Sequence, residues 1–209
     1  MRVLFIGGTG VISAACTPLA VARGIELFHL NRGTRPAPAG VTTLRGDIRT
    51  PAAVAALLTP YRFDAVVEWI AYRPEHIETD LALFAGKTDQ YVFISTTATY
   101  QKPAAYYRMT ESTPQHNPCW EYAQLKIACE ERLRAAYRDT GIPMTIVRPS
   151  HTYGETKIPI RSFISTKWNA YREQVWRDTM TPKEAMDAWQ KDVETEWLES
   201  GWKDKWGKA

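Results

Sequence analysis

The chain has 209 residues, 44% of them hydrophobic, and a formal net charge of +3. That length suits one large domain, or one domain with an appendage, and so small a charge without a Lys/Arg cluster argues against a nucleic-acid partner. Three cysteines, Cys16, Cys119 and Cys129, are odd in number and match no metal-site spacing, which fits a reducing compartment. Met1-Arg2 leads into a strand-length apolar run and not a signal-peptide core, and no later run is long enough to cross a bilayer. The expectation is a soluble, cytoplasmic protein with no membrane partner.

Val3-Leu4-Phe5-Ile6 reads as a strand buried on both faces, the signature of the centre of a parallel sheet. It runs into Gly7-Gly8-Thr9-Gly10, where glycine lets the backbone turn tightly and approach a ligand closely. A helix from Val11 to Arg23, interrupted or kinked at Pro18 and stopped by Gly24, would point its free N–H groups and positive dipole end at that turn. Such a place suits a pyrophosphate. The other reading is an ordinary glycine turn, and the spacing departs from the usual fingerprint in having Ser13 where a third glycine sits.

Ile25 to Leu30 is a second strand, ending in Asn31-Arg32-Gly33. In a dinucleotide fold this strand end meets the adenosine ribose, an acid there favouring NAD and an arginine accommodating the 2′-phosphate of NADP. Asn31 and Arg32 with no acid lean towards NADP; alternatively, Arg32 is a solvated loop residue. Val41 to Arg45 is a short strand followed by Gly46-Asp47-Ile48. Asp47 can bond an adenine amino group, cap the helix that begins near Pro51, or do both.

Ala52 to Leu58 is a short helix and Phe63 to Ile70 a strand, with Ala71 at its end small enough for a ribose to lie near the backbone. Pro74 to Phe84 reads as helix, and Tyr91 to Ile94 as a buried strand closing in Ser95-Thr96-Thr97. This alternation makes an α/β protein with a Rossmann-type doubly wound parallel sheet. A Pro- and Tyr-rich loop, Gln101 to Trp120, then precedes a helix that carries Tyr122 and Lys126 and ends at Gly141. Residues four apart share a helix face, so the ammonium would lie beside the phenol, lower its pKa and make it a usable acid/base. Taken alone, the spacing is common by chance, and the pair reads better as a surface contact. A last strand, Met144 to Val147, closes with Arg148-Pro149-Ser150-His151-Thr152-Tyr153-Gly154.

Together, Gly7-Gly8-Thr9-Gly10, Gly46-Asp47-Ile48, Phe93-Ile94-Ser95-Thr96-Thr97, Tyr122-x-x-x-Lys126 and Val147-Arg148-Pro149-x-x-x-Tyr153-Gly154 resemble the extended short-chain dehydrogenase/reductases. Within them, the chain is similar to the NAD-dependent epimerase/dehydratase group that acts on nucleotide sugars. The resemblance covers roughly residues 1 to 157. It implies Tyr122 as acid/base, with hydride passing to or from the nicotinamide. Lys126 would hold the nicotinamide ribose, and Thr97 would bond the substrate hydroxyl; alternatively, Thr97 satisfies its own backbone at the strand end. It also implies that Gly7, Gly10, Val11 and Ile12 take the pyrophosphate, Asp47 and Ile48 the adenine, and that Pro149 to His151 lie near the nicotinamide.

The expected division is therefore a NAD(P)-binding domain over 1–157 and a Trp-rich helical tail over 158–209, atypical for the group. Thr181-Pro182-Lys183-Glu184 reads as a helix start, and Met186, Trp189, Val193 and Trp197 as one apolar face. Such a face would cover the sheet end, pair with a second copy in a homo-oligomer, or stay loosely ordered. Two functions follow: an epimerase, dehydratase or reductase working on a nucleotide sugar or similar hydroxylated substrate, or a NAD(P)-binding module or remnant without turnover, because the sugar-binding domain of the group is missing or replaced.

Overall fold

The computed structural model describes residues 1–36, 38–106, 108–150, 152, 170, 171, 173–175, 177 and 179–199, with backbone alone at 193, 194 and 196–199. Within residues 1–152, six strands form one sheet: β1 (Arg2–Ile6), β2 (Glu26–Asn31), β3 (Val41–Arg45), β4 (Ala65–Glu68), β5 (Tyr91–Ile94) and β6 (Met144–Val147). All neighbouring pairs are parallel, in the order β3-β2-β1-β4-β5-β6. Parallel neighbours need crossovers, and α1 (Val11–Ala22), α2 (Pro51–Leu57), α3 (Pro74–Phe84) and α4 (Glu121–Thr140) supply helices for them.

Alternation along β1 divides its side chains between the two faces of the sheet. Leu4 and Ile6 join Leu30, Val66 and Phe93 in the larger core, which α2, α3 and α4 cover with Val54, Ile77, Phe84 and Leu133. Val3 and Phe5 face the other way, with Leu27, against Cys16, Ala20 and Val21 of α1. Each large side chain taken fully out of water contributes about 1.5–3 kcal/mol, so the sheet centre holds most of the burial free energy.

The expected interruption at Pro18 does not occur: α1 is continuous through it. Pro18 and Ala14, the residues its lost hydrogen bond would have joined, are both exposed, so water can serve the freed carbonyl. The face of α1 that meets the sheet is small and polar. Ser13 and Thr17 are buried, and the Thr17 hydroxyl bridges Ser13 O at 2.8 Å and His29 Nε2 at 3.2 Å.

Residues 153–209 form a separate compact unit. Here α5 (Pro182–Glu199) starts with a reciprocal cap, Thr181 N donating to Glu184 Oε2 at 2.8 Å and Glu184 N to Thr181 Oγ1 at 3.2 Å. The expected apolar face needs correcting at Met186, which is 47% exposed, whereas Ala185 is buried. The side chains of Val193 and Trp197 lie outside the described residues. Among the described residues, no helix is long and apolar enough to cross a membrane.

Candidate functional site

The chain reverses direction across the sheet at β1, which has β2 on one side and β4 on the other. In open parallel sheets, ligands settle at the carboxyl ends of the strands beside this switch point. The Gly7–Gly10 turn lies there. Gly7 has φ +81°, and a β-carbon on it would come within 2.3 Å of Ile70 Cγ2. Gly8 lies against the His29 ring, 2.5 Å from where its own β-carbon would be. Only glycine fits either position.

Ser13 does more than leave room for packing. Its Oγ accepts from Gly10 N at 2.8 Å and lies 3.3 Å from both Gly7 O and Gly10 O, lacing the turn to the first turn of α1. Val11 is exposed and Ile12 half-buried at the start of α1. Their N–H groups are among those an α-helix leaves without an internal partner, and they can bond a phosphate.

A cleft of about 580 Å³ opens beside this turn. Gly7, Gly10, Asn31, Arg32, Asp47 and Ile48 all line it, so the structure brings together the residues expected for the pyrophosphate, ribose and adenine. Asn31 Oδ1 accepts from Gly33 N at 2.9 Å and fixes the strand end. Ile48 is 2% exposed, part of the core as well as the cleft wall. Asp47 does not cap α2, contrary to one expected role: its Oδ1 accepts from Arg49 N at 3.0 Å, and Thr50 takes the N-cap position. A short side chain bonding two residues along its own loop leaves the helix that starts four residues further on beyond reach.

Arg35 and Arg49 also line the cleft and went unrecognised in the sequence. Arg35 Nη1 donates to Thr9 O at 2.5 Å, reaching back over the glycine turn. With Arg32 they give three guanidinium groups against one carboxylate, Asp47. Such a cleft favours a polyanion.

The second group of expected residues gathers around α4. Lys126 is 3% exposed, and its ammonium donates to Ala71 O at 2.7 Å and Ile94 O at 2.6 Å, past the end of β4 and at the end of β5. It also lies 4.5 Å from the centre of the Phe93 ring. The surface-pair alternative is thus excluded for Lys126. Burial lowers its pKa to about 8, opposed by Cys129, Glu68 and Glu130.

Tyr122 is half-buried, with its ring 5.9 Å from the Lys126 ammonium. Its pKa is raised, first by burial and then by the Cys129 thiol, and not lowered by Lys126 as expected. The physical reason is direction: the ammonium spends its hydrogens on two carbonyls and not on the phenol. Thr97 stands in a short helical turn, Thr97–Thr99, that packs on α4, and its N–H donates to Pro149 O at 3.0 Å. Its hydroxyl makes no hydrogen bond among the described residues; Thr96 and Thr99 satisfy the strand end instead. His151, Tyr153 and Gly154 lie outside the described residues.

Behind this group Glu130, fully buried, collects Ser95 Oγ at 2.5 Å, Gln115 Nε2 at 2.8 Å, Arg134 Nη2 at 2.8 Å and Arg148 Nη2 at 2.6 Å. Burial pushes its pKa up, but the bonds from Arg148, Ser95 and Gln115 outweigh that and hold it below the usual carboxylate value. One carboxylate thus ties the end of β5, the loop before α4 and the segment after β6.

A profile of the NAD dependent epimerase/dehydratase family matches residues 3–178. The chain is 30% identical over 155 residues to a 2′-dehydrokanamycin reductase of Streptomyces kanamyceticus, a match covering 73% of this chain and 43% of that one. Among solved structures it is similar to a dTDP-glucose 4,6-dehydratase of Bacillus anthracis in complex with NAD. That likeness has TM-score 0.68 and 19% identity over 83% of this chain and 62% of that one. It is also similar to a UDP-Glc/GlcNAc 4-epimerase of Campylobacter jejuni, with TM-score 0.67 and 18% identity over 83% and 63%. The chain therefore spans less than two thirds of the length of each of these relatives.

Proposed function

The chain belongs to the NAD dependent epimerase/dehydratase family, and from that premise we propose that it binds a nicotinamide dinucleotide and moves hydride and proton at a carbinol carbon of a nucleotide sugar or similar hydroxylated substrate. The observation that carries this is the buried ammonium of Lys126, held between the carbonyls of Ala71 and Ile94 at the carboxyl edge of the sheet. A lysine is rarely taken almost wholly out of water, and a lysine held there has a functional use for its charge. The dinucleotide would supply the hydride acceptor or donor. Gly7, Gly10, Val11 and Ile12 would bind the pyrophosphate, Asp47 and Ile48 the adenine, and Ala71, Pro149 and His151 would line the nicotinamide end.

Three arginines in the adenosine cleft support NADP over NAD, since each favours an added phosphate and no acid stands at Asn31 to compete for the ribose hydroxyls. Tyr122 is the acid/base of this reading. At neutral pH its phenol is protonated, ready to donate to a carbonyl oxygen as hydride arrives, with Thr97 bonding the same oxygen. Reduction is thus the direction favoured by the unliganded site, and oxidation requires the bound dinucleotide to bring the phenol and Lys126 into closer contact.

The raised Tyr122 pKa and the engaged Lys126 ammonium also favour a second reading, a dinucleotide-binding module without turnover. Titration of the purified chain with NAD and NADP, followed by a turnover assay on nucleotide sugars and their keto forms, separates the two. Micromolar binding with turnover that Tyr122→Phe abolishes is the expected result. Binding without turnover by any of them establishes the module, and no binding overturns both readings.

A further inference from the structure

Beneath the dinucleotide cleft lies a buried cluster that none of these roles uses. Glu68 ends β4, Asp80 sits on α3 and Tyr91 begins β5; Glu68, Asp80 and Tyr91 are each 0% exposed. Glu68 Oε1 accepts from Ile70 N at 2.5 Å and Ala71 N at 2.6 Å, and the Tyr91 hydroxyl donates to Asp80 Oδ2 at 2.6 Å. The two remaining oxygens, Glu68 Oε2 and Asp80 Oδ1, are buried without a donor among the described residues. Yet each carboxyl acts directly on the titration of the other. Carboxylates are acceptors only, so two of them meet in a dry interior when a proton lies between them.

We propose that Glu68 and Asp80 share one proton at neutral pH, carried on Asp80, and that the charged Glu68 so held is a positioning residue for the dinucleotide site. This role in positioning rests on the function proposed above. Glu68 receives two main-chain N–H groups, which favour its ionised form, whereas Asp80 receives one neutral hydroxyl. The turn that Glu68 clamps presents Ile70 to Gly7, and its Ala71 carbonyl takes the Lys126 ammonium. Hydrogen bonds join Tyr91 to Asp80, and Glu68 through the Ala71 peptide to Lys126; the shared proton joins these two runs.

The surrounding charges are consistent. Burial raises both acids, Asp80 well above its ordinary value, and the charge of Glu68 is the second cause of the rise at Asp80. Arg49, from the loop after β3, opposes the rise in both. From α4, the Cys129 thiol is pushed up to about 12 and stays neutral, while Lys126 is kept charged in part by Glu68. From α3, Glu75 acts on the Cys129 thiol. From β5, Tyr91 is raised well above its ordinary value by burial and is a donor only.

Two isosteric substitutions separate the roles. Asparagine at 80 has the shape and hydrogen-bonding of the protonated acid, its amide donating to Glu68 and its carbonyl accepting from Tyr91. Glutamine at 68 still accepts from Ile70 and Ala71 but removes the charge near Lys126. The test combines infrared spectroscopy of the unliganded chain at neutral pH with NADP titration across neutral and alkaline pH. The expected result is a buried carboxylic-acid carbonyl band in the wild type that Asp80→Asn lacks. Asp80→Asn should keep wild-type affinity for NADP, and Glu68→Gln should bind on the order of tenfold weaker, losing affinity at a lower pH than the wild type does. A wild type without the band, or an Asp80→Asn variant that retains it, overturns the shared proton. Wild-type affinity in Glu68→Gln overturns the positioning role. A wild type that binds neither dinucleotide overturns the proposed function and the positioning role together, while the band still decides the shared proton.

Discussion

The Lys126 ammonium, on the second turn of α4, donates at 2.7 Å to the carbonyl of Ala71, which lies 55 residues earlier just past β4. This bond and its twin to Ile94 O join the helix to two adjacent strand ends and put a positive charge where the sheet meets its ligand cleft. The pKa of about 8 makes that charge sensitive to mildly alkaline conditions.

Dinucleotide affinity is therefore expected to fall as pH rises through about 8, because a ligand that bonds the ammonium binds the protonated form. Lys126→Met should bind more weakly at neutral pH and show no such decline. Folding stability moves the opposite way. A lysine whose folded pKa lies below its unfolded value of 10.5 binds more protons when unfolded, so its contribution rises between about pH 8 and 10.5. Denaturant titrations at several pH values, wild type against Lys126→Met, isolate that slope.

Gly7→Ala should destabilise the chain by about 2–4 kcal/mol, combining a left-handed backbone with a methyl driven into Ile70. Adding Ile70→Ala should recover the steric part and leave the backbone part. Chemical unfolding of both variants measures the split, and equal losses in the two would sink the packing argument.

Arg32→Glu should reverse the dinucleotide preference, with NADP affinity falling on the order of tenfold or more and NAD affinity preserved or improved by the new ribose partner. Calorimetric titration of each dinucleotide reads this directly. An unchanged ratio would move the role to Arg35 or Arg49, the other arginines of the cleft.

Glu130→Ala should cost roughly 3–5 kcal/mol, since it strands the partly buried guanidinium of Arg148 and leaves Ser95 and Gln115 unpaired. The folded pKa of Glu130 is depressed, so its stabilisation is complete above the unfolded value of 4.5 and is lost as pH falls through the folded value. The wild type should lose stability on acidification more steeply than Glu130→Ala in thermal melts below that pH.

Local patterning was enough to read much of this protein from its sequence. The apolar run of β1, the glycines after it and the alternation of strand and helix specify a doubly wound sheet, because buried parallel strands and crossover helices each leave a short-range signature. The glycine turn, Asn31-Arg32, Asp47 and Lys126 were legible for the same reason, as residues at fixed offsets from strand ends.

What needed the tertiary structure was where charge ends up. That Pro18 sits on a solvated face, that Asp47 bonds its own loop and that Met186 points outward depend on which side of an element meets a neighbour. Glu68 interrupts an apolar strand, and Asp80 shares the buried face of α3 with Ile77 and Phe84, so their positions were visible as anomalies. Their pairing was not, because they are twelve residues apart on different elements and meet only when α3 packs on the sheet. The same holds for Tyr122 and Lys126. The spacing of four puts them on one face, but which partner the ammonium bonds was decided by carbonyls of two strands that the helix does not contain. Periodicity reports which face a residue occupies; hydrogen-bond direction and burial, which set a pKa, arise only once separate elements are brought into contact.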